Sequence, residues 1–465
     1  MSTSSHPFKF GLPQELIDKV VDKADFQSLK TLGLVSKQWC PRTRELLFKG
    51  IKLSEELDHP LDPTTRCERL LELLEAKSEL RRLPRTLLIR SSTYEDKDKD
   101  LGWLQVCSDD VIKILGMLQN VSVVCLQQGA MQMNFSHLPS PLRAALHSFI
   151  SRRNVVELTL LGVECIEMTP LVQHRSLRRL SLSFSRPPRA ELGAFFPLNL
   201  GRKRRPTTNR ASLSSREDSA LSRTILRELD VSGAGYALFL LAAASQDPQA
   251  TLDLTQIKVL RVGTMGFGRT MTLVWPYFLQ TFCQNVSHYS VALGPARPRD
   301  PEDIQDGLPS FNPSILCLAR LPSLKCLHVE VPHYYLGVPR LSLLPYLLEA
   351  LRSLSSSRKP VPLEVLDVKV DFENLDPKSE PEDVTQILTA LSKCQELWGR
   401  LDEILSNRQV FSQLITLVVR MGLDTRCTFT QSDEELDELK NDMRSYMPNL
   451  VEQSKVEVIF RIPAQ

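Results

Sequence analysis

The chain has 465 residues, a formal net charge of +2, 42% hydrophobic and 24% charged residues. That length implies either about two to four compact domains or one elongated repeat domain, and the near-neutral balance argues against a dedicated nucleic-acid binder. Its ten cysteines form no C-x-x-C pair and no zinc-ligand spacing, and several sit among apolar neighbours, as in Val124-Cys125-Leu126. A reduced intracellular protein is expected, cytoplasmic, nuclear or both. The start, Met1 to Pro7, lacks the basic and apolar regions of a signal peptide. The longest apolar run, Tyr236 to Ala244, is far short of the roughly 20 residues that span a bilayer, so no membrane segment is expected.

Residues 1–9 read as a disordered N-terminus. Leu12, Leu16, Ile17, Val20 and Val21 then recur at helical spacing, and Pro13 suits a first turn. Asp25 is placed to cap a second helix carrying Phe26, Leu29 and Leu32. Pro41 starts or kinks a third helix that runs to Phe48. So many large apolar residues in about forty positions exceed what a unit this small can bury. The surplus must meet the rest of the chain or a partner.

The strings L-P-x-E-L-I (Leu12–Ile17) and L-x-x-L-x-L-V-S-K-x-W (Leu29–Trp39) resemble an F-box, with the spacing from Val20 to Trp39 kept without a gap. The ending W-x-P-R-x-R-x-x-L-F (Trp39–Phe48) is similar to F-box proteins of fungi. Two positions depart from the family pattern: Ala24, where a larger apolar residue is usual, and Ser28, where an acidic one is common. The resemblance covers about a tenth of the chain and makes 10–53 the F-box. It implies docking to a Skp-family linker protein, and through it to a cullin, by Leu12, Pro13, Leu16, Ile17, Val20, Leu34, Val35 and Trp39.

From Phe48 onward the phrase apolar-x-x-apolar-x-apolar returns. Strong copies are Val121/Val124/Leu126, Val155/Leu158/Leu160, Leu177/Leu180/Leu182, Leu226/Leu229/Val231, Ile257/Leu260/Val262 and Val286/Tyr289/Val291. It continues at Leu324/Leu327/Val329, Leu363/Leu366/Val368 and Leu414/Leu417/Val419. Weaker copies are Phe48/Ile51/Leu53 and Pro84/Leu87/Ile89, and Val456/Val458/Phe460 closes the series. The last two apolar positions alternate as a short strand with one buried face requires. Helical patterns lie between, as at Arg66–Glu79 and Ser432–Leu450, the latter opening on a Ser432/Glu435 capping box. Strand, loop and helix at recurring intervals mark a leucine-rich solenoid. The copies fall about 22 to 51 residues apart, less even than the roughly 20–29 of a regular leucine-rich repeat, and the Asn/Cys ladder position is missing.

The expected fold is therefore α/β: a three-helix F-box, then an irregular leucine-rich-repeat-like domain over 54–465. The residues between the apolar positions, such as Arg179, Glu228, Arg261, His328 and Asp367, should line an outward face of mixed charge suited to a protein partner. Residues 199–219, with Arg202, Lys203, Arg204 and Arg205 and few apolar side chains, read as a disordered insert. Its basic run has the composition of an import signal, and Ser212 is placed to accept phosphate.

No catalytic, metal or cofactor site is expected. Gly233 and Gly235 follow a strand, but Leu238 replaces the third glycine of a dinucleotide fingerprint. No phosphate-loop, H-E-x-x-H or G-x-S-x-G pattern occurs, and His174 and His328 read as ordinary polar or packed residues. The leading function is a non-enzymatic substrate receptor of an SCF-type ubiquitin ligase, with no nucleic acid or membrane partner. Two alternatives stay open: a leucine-rich interaction scaffold whose N-terminal helices only cap the solenoid, and a diverged enzyme.

Overall fold

The computed structural model describes residues 13–35, 37–54, 61–91, 102–128, 133–183, 223–232, 235–245, 249–263, 269–293, 316–336, 338–342, 344–355, 360–374, 395–423, 433–453 and 456–461. Leu12 and the basic segment with Arg202, Lys203, Arg204, Arg205 and Ser212 lie outside them. The chain gathers into two compact units, Met1–Glu164 and Cys165–Gln465.

The first unit opens with helices α1 (Gln14–Val21), α2 (Phe26–Val35) and α3 (Cys40–Leu47). Pro13 stands just before α1, and its carbonyl accepts the Leu16 N–H at 3.0 Å. Asp25 caps α2, accepting the Ser28 N–H at 2.8 Å and the Ser28 hydroxyl at 3.0 Å. Those bonds hold its carboxyl below the usual value. Pro41 sits in the first turn of α3, where its missing N–H costs nothing. Ile17, Val21 and Leu29 form the core of this bundle, with Ala24, Leu32, Trp39, Leu46 and Leu47 packed around them. The helices meet closely: Thr43 is fully buried, and a Cβ on Gly33 would lie 3.3 Å from its methyl. Arg42 ties α3 to the end of α1 through Asp22 at 2.7 Å.

Only Phe48 and Lys49 separate α3 from strand β1 (Gly50–Ser54). The unit continues with β2 (Thr86–Ser91), β3 (Val123–Gln128), β4 (Met133–Asn134), β5 (Glu157–Leu161) and β6 (Val163–Glu164). Strands β1, β2, β3 and β5 pair in that order, all parallel. Helices α4 (Pro63–Ala76), α5 (Gly102–Val106), α6 (Ser108–Met117) and α7 (Ser140–Ile150) return the chain between them. The second unit holds α8 (Thr169–Val172), β7 (Arg179–Ser183), β8 (Thr224–Ile225), β9 (Glu228–Ser232), α9 (Gly235–Ala244), β10 (Leu252–Asp253) and β11 (Val259–Val262). It goes on through α10 (Arg269–Phe282), β12 (His288–Ala292), β13 (Cys326–Leu336), β14 (Val338–Ser342), α11 (Leu344–Ser355) and β15 (Val365–Asn374). It ends with α12 (Gln395–Leu405), β16 (Thr416–Leu423), α13 (Asp433–Ser445), α14 (Pro448–Glu452) and β17 (Glu457–Arg461). Here β7, β9, β11, β12, β13, β15, β16 and β17 are parallel neighbours in chain order.

Each recurring phrase in the sequence ends in one of these main strands, and nearest-neighbour stacking is the topology of a repeat protein. In the second unit Leu180, Leu229, Leu260, Tyr289, Leu327, Leu366 and Leu417 share one buried row, each at most 1% exposed. Tyr289 occupies a leucine position because Trp275 hydrogen-bonds it. Backbone joins the repeats where a regular family uses an amide side chain. The carbonyl of the residue after the first apolar position accepts two N–H groups from the next repeat. Lys49 O takes Arg85 and Thr86 at 2.8 and 3.1 Å, and Arg227 O takes Lys258 and Val259 at the same distances. Arg85, Ser122, Arg178, Lys258, Ser287, Lys325 and Glu364 do likewise.

The short pairs β4–β6 and β10–β8 were not legible as strands. They follow a second phrase, Met133-Asn134-Phe135-Ser136-His137-Leu138 and Leu252-Asp253-Leu254-Thr255-Gln256-Ile257. Asn134 accepts the Ser136 N–H at 3.0 Å and Asp253 the Thr255 N–H at 2.8 Å, starting a 3₁₀ turn in each case. Gly162, at φ 68°, allows the sharp step from β5 to β6. The single helix expected over 432–450 is two helices, α13 and α14, because Pro448 cannot continue the first and starts the second; Ser432 lies outside the described residues.

Asp402, 1% exposed on α12, caps α14: its carboxylate accepts the N–H groups of Asn449 at 3.0 Å and Leu450 at 2.7 Å, and the Asn449 amide at 2.8 Å. Asp402→Ala would leave two backbone donors without a partner. It should cost about 1–3 kcal/mol or more, the usual penalty for orphaned buried groups, read as a lower midpoint in denaturant unfolding.

Candidate functional site

Two surfaces stand out, one in each unit. On the N-terminal helices the apolar stripe expected on one face of α1 divides. Ile17 and Val21 turn inward at 1% and 0% exposure, whereas Leu16 and Val20 face solvent at 47% and 50%. On α2 Leu29 is buried, but Phe26, Leu34 and Val35 are 58%, 89% and 68% exposed. Of the ten large apolar side chains exposed among the described residues, five fall within residues 16–35. Nothing in the local helix chemistry requires them: α1 and α2 are already held by the inner residues, the Asp25 cap and Arg42. Of the docking residues expected from sequence, Pro13, Leu16, Val20, Leu34 and Val35 lie on the surface, Ile17 lies in the core, and Trp39 is half-buried against that core. Phe26, missed by sequence reasoning, belongs with the exposed group; Lys30 covers its ring at 4.6 Å. An open cleft of about 470 Å³ lies between α3 and the turn at Ser78–Arg82, lined by Lys37, Cys40, Pro41, Arg44, Glu79, Leu80 and Leu83.

The second surface is the outward face of the strands in the second unit. Register places Ser181, Asp230, Arg261, Ser290, His328 and Asp367 in one row across six consecutive strands. Flanking positions pair across strands: Arg179 with Glu228 at 3.0 Å, Lys325 with Glu364 at 2.7 Å and Lys369 with Glu330 at 2.7 Å. Glu228 also faces Arg261 at 3.6 Å. Open pairs of this kind are worth about 0–1 kcal/mol each, so their weight lies in setting a charge pattern that a partner must match. Asp367 is a partly buried carboxylate, accepting from Arg420 at 2.7 Å and from His328 Nδ1 at 3.1 Å. Burial pushes its carboxyl up, but the hydrogen bonds from His328 and Arg420 outweigh burial and hold it below the usual range. Asp230 goes the other way: burial raises it, and Arg261 offsets that only in part.

Ser290, His328 and Asp367 stand in the order of a nucleophile, base and orienting acid. Among the described residues no hydrogen bond joins Ser290 to His328, and the strand N–H groups beside them are engaged in the sheet, which leaves no oxyanion hole in that row. His174 is structural: 1% exposed, its Nδ1 accepts the N–H groups of Ser176 and Leu177, both at 3.1 Å. Gly263 packs tightly, since a Cβ there would lie 2.6 Å from the Ser232 Cβ. Among the described residues no three His, Cys, Asp or Glu side chains gather as metal ligands, and no helix is long and apolar enough to cross a membrane.

The sequence matches no family model and no curated protein. Among solved structures, an internalin from Listeria monocytogenes aligns over 97% of this chain and 95% of that one, at 10% identity and a TM-score of 0.26. The repeat reading rests on the sheet topology itself.

Asp367 gives a testable acid response. With its folded pKa lowered, its contribution is present above the ordinary carboxylate value of 3.8 and is lost as pH falls through the folded value. Asp367→Asn should remove that share of stability at neutral pH. The gap between variant and wild type in denaturant midpoint should then narrow as pH is lowered below about 4.

Proposed function

We propose that this chain is a substrate receptor of an SCF-type cullin–RING ubiquitin ligase. Residues 10–53 act as an F-box that docks on a Skp-family linker, and the repeats after residue 54 take the protein to be ubiquitinated. The observation that carries this reading is the solvent-facing group Leu16, Val20, Phe26, Leu34 and Val35. Apolar side chains concentrated on one small helical unit mark a protein contact, and Leu16, Val20, Leu34 and Val35 hold docking positions of the F-box resemblance. The mixed-charge strand face supports a protein substrate on the same ground of complementarity. No catalytic role is assigned to this chain; the transfer chemistry belongs to its partners.

The scaffold reading has one feature in its favour, the short passage from α3 into β1, which suits a helical cap. A cap alone gives no reason for large apolar side chains to face water.

The test is co-purification with a Skp-family linker. Leu16→Ala with Leu34→Ala should weaken docking by about 2–4 kcal/mol on the scale of interface hot spots. It should shift folding stability by no more than about 0.5 kcal/mol per surface site. Trp39→Ala is less informative, because Trp39 also packs on the bundle core. Equal recovery of the linker with the folded double variant and the wild type would remove the docking claim.

A further inference from the structure

The last strand of the second unit has one hydrogen-bonded neighbour. Strand β17 pairs with β16 in parallel, Thr416 beside Glu457 through Arg420 beside Arg461. Among the described residues no strand lies against its other edge. The Glu457 N–H donates to Ile415 O at 2.8 Å, which fixes how the backbone alternates. Glu457, Ile459 and Arg461 direct their amide groups toward β16, so Val458 and Phe460 direct theirs toward the open edge. The side chains tell the same story. Leu417 and Val419 on β16 are fully buried, yet Val458, beside Leu417 in the same row, is only half-buried. The apolar layer is therefore thinner at the edge.

We infer that β17 joins two copies of this chain by antiparallel pairing of their open edges, centred on Ile459. The sequence of the strand, Glu457-Val458-Ile459-Phe460-Arg461, is self-complementary in that register. Val458 falls opposite Phe460 of the second copy. Both have outward amides, so each such pair exchanges two N–H···O=C bonds, and the two-fold axis makes a second equivalent pair. Ile459 falls opposite itself. Glu457 falls opposite Arg461 of the second copy, opposite charges at facing, non-hydrogen-bonded positions, where side chains approach most closely. A shift of one residue would set inward-facing backbone groups against outward ones. A shift of two would take Glu457 away from Arg461. Charges at both ends of an apolar centre deter unmatched strands, so the strand selects its own copy. This inference is independent of the ligase reading.

Sedimentation equilibrium of the full chain tests it. The weight-average mass should rise with concentration from one chain toward two. Glu457→Arg and Arg461→Glu each place like charges opposite in both symmetric pairs, and each should weaken self-association by about tenfold or more. Mixed together, the two variants should associate again, because each supplies the charge that the other lacks. Circular dichroism melts matching the wild type would show that neither variant is unfolded. Hydrogen exchange over 456–461 should slow as protein concentration rises. Three results would overturn the inference: a wild-type mass independent of concentration, a dimer indifferent to both single substitutions, or protection of 456–461 that is the same at every dilution.

Discussion

Along both units a single backbone carbonyl at the start of most main strands receives two N–H groups from the repeat that follows. This contact, at about the length of an ordinary strong amide bond in every instance, is the one on which the rest of the architecture depends. It sets where the next strand begins, and so fixes which residues turn inward. With the start fixed, the phrase Leu177/Leu180/Leu182 must lie beside Leu226/Leu229/Val231, and the apolar rows align without any side chain having to specify register. It also explains why repeats of unequal length stack at all. The helices and excursions between strands change from one repeat to the next, but the strand start does not.

The repeating strands were legible because their information is local: three apolar residues at fixed spacing give both the strand and its buried face. The second phrase, with Asn134 and Asp253, carried an equally physical signal, an Asx turn followed by a buried Phe135 or Leu254. Two widely separated copies do not make a period, and so β4 and β10 went unseen. The division of α1 into inner and outer residues was not legible either. Ile17 and Leu16 are equally apolar, and only the positions of α2 and α3 decide which is covered. The break at Pro448 is hidden for a different reason. Its neighbours keep helical spacing, and the break shows only in the missing N–H and in the Asp402 carboxylate, 47 residues away in sequence, that caps the new start. Tyr289, in a leucine row, fits because Trp275 satisfies its hydroxyl, a contact that no spacing rule anticipates.

The two surfaces divide labour by chemistry. The N-terminal helices spend few residues on their own core and leave large apolar side chains outside, a composition that favours desolvated, shape-dependent contact. The strand face of the second unit is polar, held by cross-strand pairs that contribute little to folding. On that face Asp367 organises His328 and Arg420 around one carboxylate. In the proposed receptor, the apolar patch on one unit would supply affinity and the patterned charge field on the other would supply discrimination.

Because the joint between repeats is made by backbone, the side chains at and beside it are released from structural duty. Arg178, Arg227, Lys258, Ser287, Lys325 and Glu364 fill equivalent places with unrelated chemistry, yet each carbonyl makes the same bonds. One residue is barred there: both N–H groups at each joint are donors, so proline would open the ladder. Pro84 stands one position earlier, at the first apolar place of its phrase, where no such donor is needed. The outward face can therefore be rewritten residue by residue, subject to that one prohibition. A repeat sheet of this construction can change the chemistry of its surface without first having to solve the folding problem again.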